Sequence, residues 1–266
     1  MSASPHTHIQ TFGAGPSLAL ALHCTLAHSG AWRSLGAALS NCLTLHAIDL
    51  PGHGQSADWD ARRDFHDQCT QAATAQLTAP MHVIGHSFGA TIALRLAVTQ
   101  PHRVRSLTLI EPVFFAAAMA DAPARMHAHE REAQPYFDAL AEGDHRRAAR
   151  LFNQFWGDGT RWDDMSARNQ TYLSDRVHLV AAQTSAIVED HAGLMAPGAL
   201  GRASMPSLLI QGDQTADIID ATHESLARRL PNARRAWIAG AGHMSPLTHP
   251  DEVARAIRSL VKMAEE

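Results

Sequence analysis

Cysteine is scarce in this chain. Cys24, Cys42 and Cys69 are odd in number and lack the paired spacing of a metal site, so reduced thiols in a cytoplasmic protein are expected. Basic tracts are absent, the formal net charge is −4 and the isoelectric point is about 6.5. Neither nucleic acid nor a membrane is therefore expected as a partner. The start, Met1-Ser-Ala-Ser-Pro-His-Thr-His8, lacks the charged n-region and apolar h-region of a signal peptide. The longest apolar runs fall short of a membrane span. Charged residues make up 18% of the chain and hydrophobic residues 45%, which excludes global disorder and allows a sizeable core. A length of 266 residues suits one large α/β domain or a domain carrying an insertion. Histidine is in excess, with 18 residues scattered along the chain, a composition that ties charge and solubility to pH between about 5 and 7. His6-x-His8 and His127-x-His129 have no acidic or cysteine partner at diagnostic spacing, so no metal or other cofactor is expected.

Apolar runs and helical stretches alternate along the chain. Ile9–Phe12, Leu18–Leu22, Leu43–Ile48, Met81–Ile84 and Val104–Ile110 read as strands. Ala31–Leu39, Ala61–Leu77 and Ala90–Val98 read as helices between them. From Val113 to about Leu200 the alternation stops and only helical stretches remain, among them Ala124–Ala133, Tyr136–Leu140, Arg146–Trp156 and Tyr172–Glu189. It resumes with a strand at Pro206–Gln211, a helix at Asp220–Leu230, a strand at Arg235–Ile238 and a closing helix at Asp251–Met263. The fold class expected is α/β, a doubly wound and mostly parallel sheet of about seven strands. The core takes residues 1–112 and 201–266, and residues 113–200 form an inserted helical cap, since a structureless loop of that length is improbable.

Gly85-His86-Ser87-Phe88-Gly89 lies between an expected strand and an expected helix. Gly-x-Ser-x-Gly in that setting is a nucleophile elbow, with glycine where a side chain would strike the neighbouring strand or helix. A serine hydroxyl needs a base in reach, and the base needs an orienting acid. His243, in the loop Gly240-Ala-Gly-His-Met244 before the last helix, is the expected base. An oxyanion needs two backbone donors; the amides of Phe88 and of Thr25, in the loop after Leu18–Leu22, are expected to supply them.

Ordered motifs over essentially the whole chain resemble the α/β-hydrolase superfamily, in particular its capped esterase and epoxide-hydrolase-like branch. They are Leu22-His23-Cys24 with Trp32, Asp49-Leu-Pro-Gly-His-Gly-Gln-Ser56, Gly85–Gly89, Pro101–Leu109 and Gly240–Met244. Three departures stand out: His-Cys replaces the usual His-Gly at 23–24, the segment before Leu18 is short for the family's first strand, and the acid is displaced. The resemblance implies Gly-Asp/Glu-x-Asp after the strand that follows the cap, with the second carboxylate orienting the histidine. Here the stretch is Gly212-Asp-Gln-Thr215, with threonine in that place. Glu111, closing the strand before the cap, is the favoured acid; Asp217 is the alternative, and Asp213 is expected to be a turn residue. Serine at 87, where related dehalogenases and epoxide hydrolases carry aspartate, implies acyl transfer.

Most aromatic residues fall in or beside the insertion, and Phe114, Phe115 and Trp156 are the expected substrate-pocket residues. The expected function is a serine hydrolase of small carboxylic esters, a monomer or homodimer, working through an acyl-enzyme on Ser87. A C–C bond hydrolase or lactonase on the same residues is the alternative chemistry, and a non-catalytic small-molecule-binding protein of the same fold the alternative of another class.

Overall fold

Two apolar runs too short for helices, Ser17–Leu22 and Leu43–Ile48, lie side by side as parallel strands at the start of a computed structural model that describes residues 5–266. The expected core and the N-terminal start include residues 1–4, which lie outside the described residues. The sheet has seven strands: β1 (Ile9–Phe12), β2 (Ser17–Leu22), β3 (Leu43–Ile48), β4 (Met81–His86), β5 (Val104–Ile110), β6 (Ser207–Gly212) and β7 (Ala233–Ile238). Their spatial order is β1-β3-β2-β4-β5-β6-β7, with β1 antiparallel to β3 and every other pair parallel.

The central strands are buried on both faces, so they show near-continuous apolar runs. Successive residues still part to opposite sides: Leu20 and Leu22 join one core cluster, Ala19 and Ala21 the other. Helices α1 (Arg33–Ala38) and, at the C-terminus, α12 (Pro250–Glu265) cover the second face. Helices α2 (Phe65–Thr74) and α3 (Phe88–Thr99) cover the first.

Between β5 and β6 the described chain is helical: α4 (Phe115–Asp121), α5 (Pro123–Ala141), α6 (His145–Trp156), α7 (Ala167–Arg176), α8 (His178–Ala181) and α9 (Thr184–Ile187). Part of it has a small core of its own, with Ala133, Tyr136, Ala139, Ala148, Ala149, Trp162 and Val180 buried around Leu26. Two boundaries depart from expectation. Helix α5 runs unbroken through Pro135, because proline and the residue four before it, Arg131, both lie on the exposed face, where water can take the freed carbonyl. The expected helix Tyr172–Glu189 is instead the end of α7 followed by two single-turn pieces, α8 and α9. After β6 come α10 (Asp217–Arg229), and before α12 the short α11 (Ser245–Thr248). Among the described residues no helix is long and apolar enough to cross a membrane.

Candidate active site

Strand β4 ends at His86 and helix α3 begins at Phe88, so a single residue, Ser87, makes the turn. It does so at φ 56°, a left-handed conformation that serine adopts only under constraint. The flanking glycines allow it. A Cβ on Gly85 would stand 2.4 Å from the Gly89 carbonyl oxygen, and one on Gly89 would stand 2.1 Å from that of Leu22. The Ser87 N–H donates to Ile110 O at 2.8 Å, continuing the β4–β5 ladder into the turn.

The next strand ends in the same way. Glu111 follows β5 at φ 50°, and its N–H donates to Ile210 O of β6 at 2.9 Å. Its carboxylate is wholly buried and fully engaged. Oε1 accepts the Gly212 N–H at 2.6 Å, while Oε2 accepts the Thr215 hydroxyl and faces His243 Nδ1 at 3.3 Å. Glu111 is therefore the carboxylate beside His243. Asp217 is not, and that alternative is corrected: it opens α10 with its side chain 75% exposed, in a bidentate pair with Arg125. Asp213 accepts the Gly240 N–H at 2.8 Å, a turn contact as expected. Thr215 was legible only as a missing carboxylate; in the structure its hydroxyl donates to the Glu111 carboxylate.

His243 lies in the loop between β7 and α11, with its backbone carbonyl accepting from His86 Nε2 at 2.8 Å and its ring 4.6 Å from that of Trp156. Ser87 and His243 are not hydrogen-bonded to one another; between a nucleophile and its base such a contact often forms only in the complex with substrate. Burial pushes the His86 imidazole down to about 3, so it stays neutral and serves as a fixed donor to that loop.

The loop after β2 is built on two more neutral imidazoles. His23 Nε2 accepts the Leu50 N–H at 2.9 Å, and its Nδ1 donates to Cys24 O at 2.8 Å. His53 Nε2 accepts the Leu26 N–H at 3.2 Å, and its Nδ1 donates to Pro51 O at 3.0 Å. Each ring accepts at one nitrogen and donates at the other, which only the uncharged form can do. Burial lowers His23 to about 4 and His53 to about 3. Together they clamp the segment that carries Thr25. Histidine content alone pointed to titration; at 23, 53 and 86 it serves as buried scaffold.

A cavity of about 330 Å³ opens on Ser87 and Thr25. Its walls are mostly apolar, with Val113, Phe115, Met126, Phe152, Trp156 and Ile187 among them. Phe115 and Trp156 are where they were expected, stacked with ring centres 6.3 Å apart. Phe114 is corrected: it precedes α4 fully buried in the core and does not line the cavity. Phe88 opens α3, its ring stacked on Phe65 at 5.5 Å and its N–H among the first-turn amides that have no partner within the helix.

Among the described residues the one group with metal-like spacing is Asp64, Asp67 and His191, with ligand atoms within 4.8 Å of one another. Its two carboxylates have other work. Asp67 pairs with Arg95 at 2.7 Å, and Asp64 caps α2 and accepts the Ser185 hydroxyl at 2.6 Å.

The profile of the alpha/beta hydrolase family matches residues 19–256. The chain is similar to a pimeloyl-[acyl-carrier protein] methyl ester esterase of Xanthomonas campestris pv. campestris, 31% identical over 96% of this chain and 98% of that one. It is similar to the esterase of the same name from Nitrosomonas europaea, at 28% identity over 95% and 98%. Among solved structures it resembles MGS-M2, an alpha/beta hydrolase from a Medee basin deep-sea metagenome library, with a TM-score of 0.76 at 17% identity over 97% of this chain and 94% of that one. The haloalkane dehalogenase DatA of Agrobacterium tumefaciens C58 follows the same fold, with a TM-score of 0.71 at 19% identity over 99% and 95%. Sheet order, strained elbow and family match agree: the chain belongs to the alpha/beta hydrolase family.

Proposed function

We propose that this protein is a serine esterase that hydrolyses a carboxylic ester carried on a largely apolar acyl chain. The observation that carries this is an apolar cavity ending on Ser87, with a buried glutamate and histidine paired behind it. Ser87 Oγ attacks the ester carbonyl while His243 Nε2 takes its proton, Nδ1 being turned to Glu111. The negative charge on the tetrahedral oxygen is met by the backbone N–H groups of Phe88 and Thr25. The alcohol leaves with the proton from His243, water attacks the acyl-enzyme with His243 again as base, and the carboxylic acid is released. Glu111 holds the His243 ring by its Nδ1 through both proton transfers of each cycle.

The relatives are named for a methyl ester on an acyl-carrier protein, and a methyl or other small alkyl ester is the substrate class proposed here. The helical insertion serves as the cap that closes the acyl site. The three free cysteines fit the reducing cytoplasm expected from their number. A panel of methyl and p-nitrophenyl esters of increasing acyl length tests the activity. Labelling by a fluorophosphonate probe, lost in Ser87→Ala, tests the nucleophile. A protein that neither labels nor hydrolyses any ester would be the non-catalytic binding protein instead.

A further inference from the structure

One polar group in the cavity wall has no task in the mechanism above. Gln183 lies in the turn between α8 and α9, reaches the cavity that opens on Ser87, and is only 2% exposed. Its Oε1 accepts the Thr25 hydroxyl at 2.9 Å. Its Nε2, with two N–H donors, is buried and has no partner. A buried amide donor left unsatisfied destabilises the free protein. Thr184, Tyr136, His129 and Glu130 share the lining, yet none of them partners this nitrogen, and apolar groups dominate the walls. The two backbone amides already serve the scissile carbonyl, so a third donor there is surplus.

We infer that Gln183 is a substrate-positioning residue whose Nε2 donates to a second oxygen of the substrate, a ketone, ester or thioester carbonyl within the acyl chain. This rests on the esterase reading and names a finer substrate class for the same site. Thr25 has two parts in it: its backbone amide faces the reacting carbonyl, and its side chain aims the Gln183 amide. The contact also joins the helical insertion to the core at the reaction centre.

The test compares methyl hexanoate with the mono-oxo methyl hexanoates, the ketone being moved along the chain. Only the change in preference between wild type and variant is read, so the intrinsic reactivity of each ester cancels. Gln183→Glu keeps the acceptor for Thr25 and removes the donors; Gln183→Leu removes both. Each should lower the kcat/KM preference for the best oxo ester by about tenfold or more, mainly through KM, while methyl hexanoate changes much less. Thr25→Val should reproduce that loss with Gln183 intact and Thr25→Ser should not, which covers the case of a Gln183 variant that fails to fold. Thermal shift of Ser87→Ala by the same esters gives a readout independent of turnover, and there too Gln183→Leu must weaken the oxo ester selectively. An equal loss across all esters, an unchanged preference, or a preference retained in Gln183→Glu would overturn the assignment. Absence of turnover on every ester with selective binding intact would instead overturn the esterase reading alone.

Discussion

Glu111 takes three donors or near-donors at once: the Gly212 N–H, the Thr215 hydroxyl and the His243 ring. Such a carboxylate is held in one orientation, which is what an orienting acid requires. Glu111→Gln should therefore cost on the order of 10⁴-fold in kcat. Asp217→Asn, at a solvent-exposed pair with Arg125, should leave kcat within about twofold; steady-state kinetics on one ester separates the two. Thr215→Val removes a neutral hydroxyl from Oε2 and should lower kcat by roughly tenfold, with the deficit in kcat rather than KM. Ser87 and His243 stand out from local pattern, because an elbow and a glycine-lined loop leave a signature in adjacent residues. The carboxylate beside His243 was legible only as a choice between Glu111 and Asp217. That choice depends on strand β5 and the β6–α10 turn meeting across a hundred residues of sequence, a distance local pattern cannot span. Phe114 failed for a related reason: two adjacent aromatics at the mouth of an insertion look alike, and only the direction in which the chain turns into α4 sends one to the core and the other to the cavity.

The elbow works as an element because strand, turn and helix share no spare volume. A methyl group on Gly89 would meet the Leu22 carbonyl backbone at 2.1 Å, where no flexible side chain can give way. Gly89→Ala should destabilise the fold by about 2–3 kcal/mol, whereas Gly201→Ala, with open space around it, should change stability by no more than about 0.5 kcal/mol. Thermal melts of the two variants against wild type check both. The sheet was readable almost strand for strand, since a strand buried on both faces announces itself as a short apolar run. The helical insertion was less so. Its helices bury small patches against one another and against Leu26, so their ends are set by tertiary contacts and by which face carries Pro135, and sequence periodicity marks neither.

For the molecule as a whole, the histidines convert into an acid limit. His23 and His66 are lowered to about 4, His53, His86 and His223 to about 3, and His129 to about 4, all chiefly by burial. In the unfolded chain each would titrate near 6.5. Below that pH the unfolded state takes up protons that the folded state refuses, so stability falls as pH falls. It is full above about 6.5, and the loss runs down to the folded values of about 3–4. Each group contributes a slope of up to about 1.4 kcal/mol per pH unit in that window. Acting together, they can exhaust a typical stability of about 5–15 kcal/mol near pH 5. The melting temperature should therefore drop steeply between pH 6.5 and 5, without the plateau of a histidine-poor homologue. His223, buried in α10 with neither ring nitrogen partnered, is the cleanest probe: His223→Leu should be no less stable at pH 8 and should flatten the slope by up to one proton's worth. The expectation of composition was a pH-dependent charge. For these six groups burial turns it into a pH-dependent fold.

The ladder bonds that run past the ends of β4 and β5, Ser87 to Ile110 and Glu111 to Ile210, give the candidate site a fixed jaw and a loose one. Ser87 and Glu111 sit at the ends of neighbouring strands of one sheet, so their spacing is as rigid as the separation of two strands, about 4.8 Å between backbones. Histidine arrives on a separate arm, pinned at its backbone by His86 alone among the rings nearby. The gap between serine and glutamate therefore keeps its gauge, and under the proposed chemistry any adjustment to a substrate falls to the arm that carries the imidazole.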